Sequence, residues 1–319
     1  LDDIQYARME ELFDSAKSIG EEEGLALALE RLISETPSLP VSVDNPRARL
    51  SANVASSLRP HLWPEAHPWT DTFPGLPTSS AITDEISLSV DASYSGAQPL
   101  GAYAPPGEIV TVSIPDADGS RGLRIRIGEL YDDNRNLDHI DSWNRPPLLF
   151  RDYDVTGSEI QVGNPYGGSI SLVTPSGLSD TFQVDISNAI PMAVYTLGSS
   201  TAEEFEAILD SGAPQAILQE KGRVRMVVAS DAVSSVNDYE EVITFWSDFH
   251  AKHSELASEP TPRMFESHWI FDIQVGWGYA NATSERITYP KLSEVWALRT
   301  QTGDEDWWLF GHELGHQFQ

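Results

Sequence analysis

Between residues 82 and 188 the chain repeatedly alternates apolar and polar side chains. The runs are Ile86-Leu88-Val90, Val110-Val112-Ile114, Leu123-Ile125-Ile127, Ile160-Val162, Ile170-Leu172 and Phe182-Val184-Ile186. A period of two places each apolar set on one face of a strand. Turn-forming stretches separate the runs, among them Pro105-Pro106-Gly107, Asp118-Gly119 and Pro165-Tyr166-Gly167-Gly168, and the Gly167-Gly168 pair reads as part of a turn. Several short strands at this spacing predict a β-sandwich over residues 81–190.

After about residue 190 the period changes. Met192 to Leu197 reads as a strand, Thr201-Ala202-Glu203-Glu204 as a capping box opening a helix through Leu209, and Val224 to Val228 as a further strand. Val242, Phe245, Trp246, Phe249 and His253 then line one side of an amphipathic helix. Residues 191–319 are therefore mixed α/β. At the other end, Ile4, Met9, Leu12 and Phe13 form a partial helical stripe, Gly20 interrupts, and Leu25 to Ile33 forms another. From Thr36 to Ser80 the composition turns to Pro, Ser and Trp, with Pro60, Pro64, Pro68, Pro74 and Pro77 closely spaced, which predicts a linker or an irregular covering layer. The expected organisation is a multidomain α+β chain: a helical segment with a Pro-rich linker over 1–80, a sandwich over 81–190, and a mixed domain over 191–319.

A length of 319 residues with 40% hydrophobic content and nine tryptophans suits two or three folded, soluble domains. No apolar run approaches the roughly 18 residues of a membrane span, so no membrane insertion is expected. The start, Leu1-Asp2-Asp3-Ile4, lacks the basic and apolar regions of a signal peptide, and it lacks Met, as a processed chain would. A net charge of −29 disfavours nucleic acid and anionic membranes as partners and fits a highly soluble surface. The absence of cysteine removes disulfides, thiol catalysis and thiolate metal ligands together. Trp63 and Trp69, flanked by His61 and His67, suggest a sugar-stacking platform, although anchoring of a loop by buried aromatics is the commoner use. Asn281-Ala282-Thr283 fits a glycosylation acceptor, relevant only in a eukaryotic secretory pathway.

The chemistry concentrates at the C-terminal end, in His312-Glu313-Leu314-Gly315-His316. On a helix two histidines four apart project to one point, as two imidazoles sharing a zinc ion require, and the glutamate between them can act as a general base. Thr302-Gly303-Asp304-Glu305 reads as a capping box before Trp307-Trp308-Leu309-Phe310, so a helix from about residue 303 is expected independently of the motif. Its apolar residues lie nearly all round, which predicts a buried helix, and Gly311 and Gly315 predict a close neighbour along it. Catalytic zinc normally has three protein ligands, and the two histidines supply only two. Upstream, His250 and His253 offer imidazoles, but His253 continues the apolar stripe of its helix and reads as a core histidine; His268, beside Trp269, is ambiguous.

The stretch from Trp307 to Gln319 resembles the M60-like, enhancin-related zinc metallopeptidases. Other stretches resemble that family in the same order: Gly101-Ala102-Tyr103-Ala104-Pro105-Pro106-Gly107-Glu108 with Ile109 to Ile114, Trp143-Asn144-Arg145-Pro146-Pro147, Asn164-Pro165-Tyr166-Gly167-Gly168-Ser169-Ile170, and Gly276-Trp277-Gly278-Tyr279 with Tyr289-Pro290. The similarity spans roughly residues 80–319 and leaves residues 1–80 unexplained. It implies a zincin-like (gluzincin) catalytic domain ending on the motif helix, and an exported bacterial peptidase, secreted or at the cell surface, that cleaves O-glycosylated proteins such as mucins. It implies His312 and His316 as zinc ligands, Glu313 as general base, and a glutamate after the second histidine as third ligand. No matching position precedes Gln319, so the expectation is either a chain lacking its C-terminal part or one that is inactive as it stands. The competing expectation is a glycan- or glycopeptide-binding protein on a peptidase-like fold; oligomeric state is left open.

Overall fold

The computed structural model describes residues 29, 31–57, 66–81, 83–117, 119, 121–259, 266–284, 286–299 and 304–318. In chain order the first strands are β1 (Val41–Ser42), β2 (Asp84–Asp91), β3 (Gly96–Ala104), β4 (Val110–Ser113) and β5 (Arg124–Ile127). They are followed by β6 (Ser142–Trp143), β7 (Arg151–Asp154), β8 (Glu159–Val162), β9 (Gly168–Thr174) and β10 (Thr181–Pro191). The last are β11 (Val194–Thr196), β12 (Gln215–Glu220), β13 (Val224–Ala229), β14 (Ser267–Asp272), β15 (Asn281–Ala282) and β16 (Arg286–Pro290).

The runs that alternate in the sequence are strands, and they form two antiparallel layers. One runs β2-β10-β4-β8, the other β3-β9-β5-β7. Val90, Val112, Val162, Phe182 and Val184 of the first face Leu100, Ala102, Ile125, Ile127, Ile170 and Leu172 of the second across one shared core. β10 joins both layers. Its register shifts between Ile186 and Ala189, where Asn188 takes a φ of 63° and donates its side-chain amide to the Ile109 carbonyl at 2.7 Å. Asparagine tolerates that left-handed conformation better than most residues. Beyond the bulge, Ile190 and Pro191 pair with β3.

A second, mixed sheet has the order β11-β12-β13-β14-β16-β15. Side chains of alternating direction cover both of its faces. Ala216, Leu218, Met226, Val228, Trp269, Phe271, Ile287 and Tyr289 lie beneath the helices Ala202–Leu209, Tyr239–Ala257 and Asp304–His316. On the opposite face Ile217 and Val227 pack with Tyr103, Ile190 and Met192, while Ile270 joins Trp69, Phe73, Trp143 and Tyr166. The Ala202–Leu209 helix starts as its sequence predicts, with Thr201 and Glu204 exchanging side-chain and backbone hydrogen bonds.

The Pro-rich stretch differs from the irregular layer expected of it, because it contains a helix, Pro46–Ser57. Asn45 accepts hydrogen bonds from the backbone of Arg47 and Ala48 at 3.0 and 3.2 Å, and Pro46 occupies the first helical position, where its missing N–H costs nothing. The small residues Ala48, Ser51, Ala52 and Ala55 form its buried side. Trp69 is buried and its indole N–H donates to the Pro37 carbonyl at 2.7 Å, so it anchors the segment. His61 and Trp63 lie outside the described residues, as does nearly all of the helical segment predicted before residue 31. No helix among the described residues is long and apolar enough to cross a membrane.

Candidate metal and active site

The motif occupies the helix Asp304–His316, which lies across the Tyr239–Ala257 helix and the helix-covered face of the second sheet. Thr302 and Gly303 are outside the described residues, so the predicted capping box is too. Phe310 locks the helix in place: its ring lies 4.8 Å from Trp246, 5.5 Å from Trp269 in a stacked arrangement, and 4.8 Å from Tyr289. Trp246 is fixed in turn by donating to the Ala297 carbonyl at 2.6 Å.

The helix is not buried all round, as the apolar count predicted. Leu309, Phe310, Glu313, Leu314 and Gln317 form the buried side, whereas Trp308, His312 and His316, each four apart, form an exposed stripe with Trp308 69% exposed. At about 100° per residue His312 stands about 60° from Leu309 and about 100° from Glu313, on the exposed side of the boundary between them. The glycines also divide. A Cβ on Gly311 would meet the Phe249 ring at 3.4 Å, the expected close neighbour, but one on Gly315 would meet nothing within 4 Å among the described residues.

The Nε2 atoms of His312 and His316 are 3.2 Å apart, and the rings stand at 88° to one another. Two nitrogens sharing a tetrahedral zinc with bonds of about 2.0–2.1 Å lie roughly 3.3 Å apart. The separation of the two nitrogens therefore suits a shared ion. Trp308 stacks on His312 with centroids 4.5 Å apart and planes at 19°. Glu313, 8% exposed, has Tyr289 as a neighbour. Burial, reinforced by the Glu313 charge, raises the Tyr289 pKa well above its ordinary value, so this phenol stays protonated.

The upstream histidines do not join the pair. His253, expected in the core, is half-buried, with Nδ1 3.0 Å from the Phe249 carbonyl and Nε2 3.3 Å from the Gly311 carbonyl of the motif helix. His250 is fully buried with its ring 5.2 Å from that of Phe318. His268 lies on the opposite face of the sheet from the motif, 3.3 Å from the Glu129 carboxylate. Among the described residues no group of three or more His, Cys, Asp or Glu is placed to hold a metal ion.

Sequence reading passed over the residues that fix the end of the helix. Gln317 accepts a hydrogen bond from the Ser267 hydroxyl at the start of β14 and donates to the Thr283 carbonyl at 3.0 Å, just past the edge strand β15. No motif announces such a contact, since a single glutamine carries no periodic signal. Arg145, noted only as part of a family-like stretch, proves to be fully buried and bidentate on Asp272, the last residue of β14.

Comparison with known proteins bears on the whole of this region. Residues 79–187 match the N-terminal domain of M60-like peptidases, and residues 188–319 match peptidase M60, enhancin and enhancin-like. TRPM8 channel-associated factor 3 of Rattus norvegicus is 24% identical over 245 residues, covering 76% of this chain and 26% of that protein. The chain thus spans about a quarter of the length of the curated relatives it matches. Among solved structures, the IMPa metallopeptidase from Pseudomonas aeruginosa superposes with a TM-score of 0.64 at 16% identity, over 93% of this chain and 37% of that one. The same enzyme in complex with T-antigen gives a TM-score of 0.60 at 16% identity, over 95% and 41% respectively. At these identities the likeness is one of fold.

Proposed function

The chain belongs to the M60-like, enhancin-related peptidase family, and we propose that it forms the zinc-binding part of a metallopeptidase cleaving O-glycosylated proteins. The observation that carries the proposal is the convergence of the two imidazoles: Nε2 atoms 3.2 Å apart on an exposed stripe, with a carboxylate one residue away. In this reading residues 191–319 are the zincin-like part and residues 81–190 the sandwich that supports it.

His312 and His316 would hold a zinc ion through Nε2. Zinc, when bound, lowers the pKa of water and polarises the scissile carbonyl. Glu313 takes a proton from the attacking water and delivers it to the leaving amine. Trp308 stacks on His312 and restricts its ring, while Gln317 ties the helix end to β14 and to the hairpin of β15 and β16. A third ligand, a glutamate by resemblance to the family, is not among the described residues. The edge strand β15, beside the helix, offers backbone groups for an extended substrate peptide.

The glycoprotein substrate rests on the family and on the IMPa complex with T-antigen. A site outside the cell or on its surface follows from that substrate. The chain's relatives include animal proteins and its structural neighbours bacterial ones, so neither source is carried over. The test is incubation of the full-length protein containing this chain with an O-glycosylated protein: fragments are expected, and none with Glu313→Gln. The second reading is a glycopeptide-binding protein without hydrolysis, on the same fold as the solved complex with T-antigen. It requires the full-length protein to bind mucin-type glycopeptide yet release no fragments.

A further inference from the structure

On the face of the second sheet away from the motif helix, a cavity of about 320 Å³ opens between β14 and the layer containing β3, β5 and β9. The alternation of β14 separates the two sites: Trp269 packs under Phe310 of the motif helix, and its neighbour His268 lines the cavity. The wall also carries Tyr94, Tyr131, Arg124, Arg126 and Arg225. Three guanidiniums thus share one wall, with carboxylates beside them: Asp152 at Arg124 and Arg126, and Glu266 at Arg225. The single carboxylate among the lining residues is Glu266.

The arginines are held in place from behind. Arg124 and Arg126 both donate to Asp152, and Arg126 lies over the Tyr131 ring at 4.3 Å. Arg225, 4% exposed, donates Nη1 to the Ala97 carbonyl. Its Nε is 3.5 Å from the Glu266 carboxylate, within reach as an ion pair, but makes no hydrogen bond among the described residues. His268, also buried, has Nε2 without a hydrogen bond, 3.3 Å from Glu129. The Glu129 carboxylate is already engaged by Tyr131, Ser169 and Ser171 at 2.8–2.9 Å. Burial pushes His268 down to about 3, so it faces the cavity neutral. A buried guanidinium N–H is costly to leave without a well-formed hydrogen bond, and Arg225 Nε, with only a 3.5 Å ion-pair contact, can take an acceptor from a molecule in the cavity.

We propose that this cavity binds a sugar-sized organic anion. Its carboxylate or sulfate lies against Arg225 and Arg124, its ring against Tyr94, and its hydroxyls against the rim residues Ser95 and Ser176. The volume sits at the lower end of small-ligand sites, which run from about 300 Å³, and suits one ring. Arginine is the side chain matched to both oxyanions, and tyrosine faces take a sugar ring. The site needs neither the histidine pair nor peptidase activity, so it stands or falls independently of the proposed function.

The test titrates glucuronic acid, N-acetylglucosamine 6-sulfate and neutral N-acetylglucosamine into the full-length protein, followed by calorimetry. At least one acidic sugar is expected to saturate, at least tenfold more tightly than the neutral one, and the two acids report whether carboxylate or sulfate is preferred. Arg124→Gln and Arg225→Lys are each expected to weaken binding about tenfold, and His312→Ala to leave it unchanged. Arg124 has a side chain 41% exposed, so its variant tests the idea even if Arg225→Lys fails to fold. Absence of saturation by either acid, undiminished binding in Arg124→Gln, or loss of binding in His312→Ala overturns the proposal.

Discussion

Replacing Arg145 by methionine probes the joint between the two halves of the molecule. Arg145 donates Nε to both oxygens of Asp272 at 2.9 and 3.0 Å and Nη2 to one of them at 2.8 Å, and both side chains are 0% exposed. Burial outweighs the arginine's attraction, so the Asp272 pKa stands above its ordinary value. Such a pair adds little over an apolar one, yet breaking it strands a buried carboxylate at a cost of about 3–5 kcal/mol. Arg145→Met should therefore lose about 3–5 kcal/mol at pH 7, read from urea unfolding by tryptophan fluorescence. In Arg145→Met the Asp272 carboxyl takes up a proton more readily still. Because its folded pKa then lies further above the unfolded one, the deficit is smallest below about pH 4 and grows as pH rises. Arg145→Met with Asp272→Leu should recover about 1–3 kcal/mol of the loss. What remains is the Gln274 backbone N–H, which donates to Asp272 at 2.8 Å, and the Pro146 carbonyl, which accepts from Arg145 at 2.6 Å; each is worth about 1 kcal/mol. A single variant within about 1 kcal/mol of the native protein, or a double variant no better than the single, would refute the reasoning.

Burial holds His67 and His268 down to about 3, against about 6.5 when unfolded. Each contributes its full stability above that unfolded value and loses it as pH falls toward 3, so urea midpoints should reveal a loss of about 2 kcal/mol per histidine between pH 7 and pH 5. A flat profile over that range would contradict the buried neutral state. Gly315→Ala, with open space for its Cβ, should stabilise the helix by about 0.5–1 kcal/mol, while Gly311→Ala, facing Phe249 at 3.4 Å, should gain less or lose. A larger gain at Gly311 would mean that the ring yields freely. Trp308→Ala should change stability by less than about 0.5 kcal/mol, since the side chain is largely exposed, but weaken zinc binding roughly tenfold through the loosened His312 ring; unchanged zinc affinity would remove Trp308 from the site.

Strands marked by alternation or by an apolar run were legible in the sequence, among them the buried β9 through Ile170 and Leu172 and the buried β13 through Val224 to Val228, whereas β14 and β3 were not. β2, β4 and β10 alternate because one face meets the core and the other meets water. β14 is buried at all its positions, so Ser267 to Asp272 carries no alternation despite its central place in the sheet. β3 hides for another reason: Gly96, Pro99 and Gly101 give it the composition of a turn, and its register shifts between Pro99 and Ala102. The helix Pro46–Ser57 buries alanines and serine, which carry too little hydrophobic contrast to mark a stripe. At the site the histidine spacing was informative because helix geometry alone fixes it. The orientation of the helix was not, since it depends on Phe310 meeting Trp246, Trp269 and Tyr289 from distant parts of the chain. The cavity lined by Arg124, Arg126 and Arg225 is likewise assembled from strands of two sheets and leaves no local pattern.

The central claim is that Glu313 and the two histidines beside it perform peptide hydrolysis. Mass spectrometry of an O-glycosylated protein, incubated with the zinc-loaded full-length protein or with its Glu313→Gln variant at equal zinc content, tests it most directly. New peptide termini with the native protein, and a loss of at least a hundredfold in their rate of appearance with the variant, are expected. Equal cleavage by both would contradict the account.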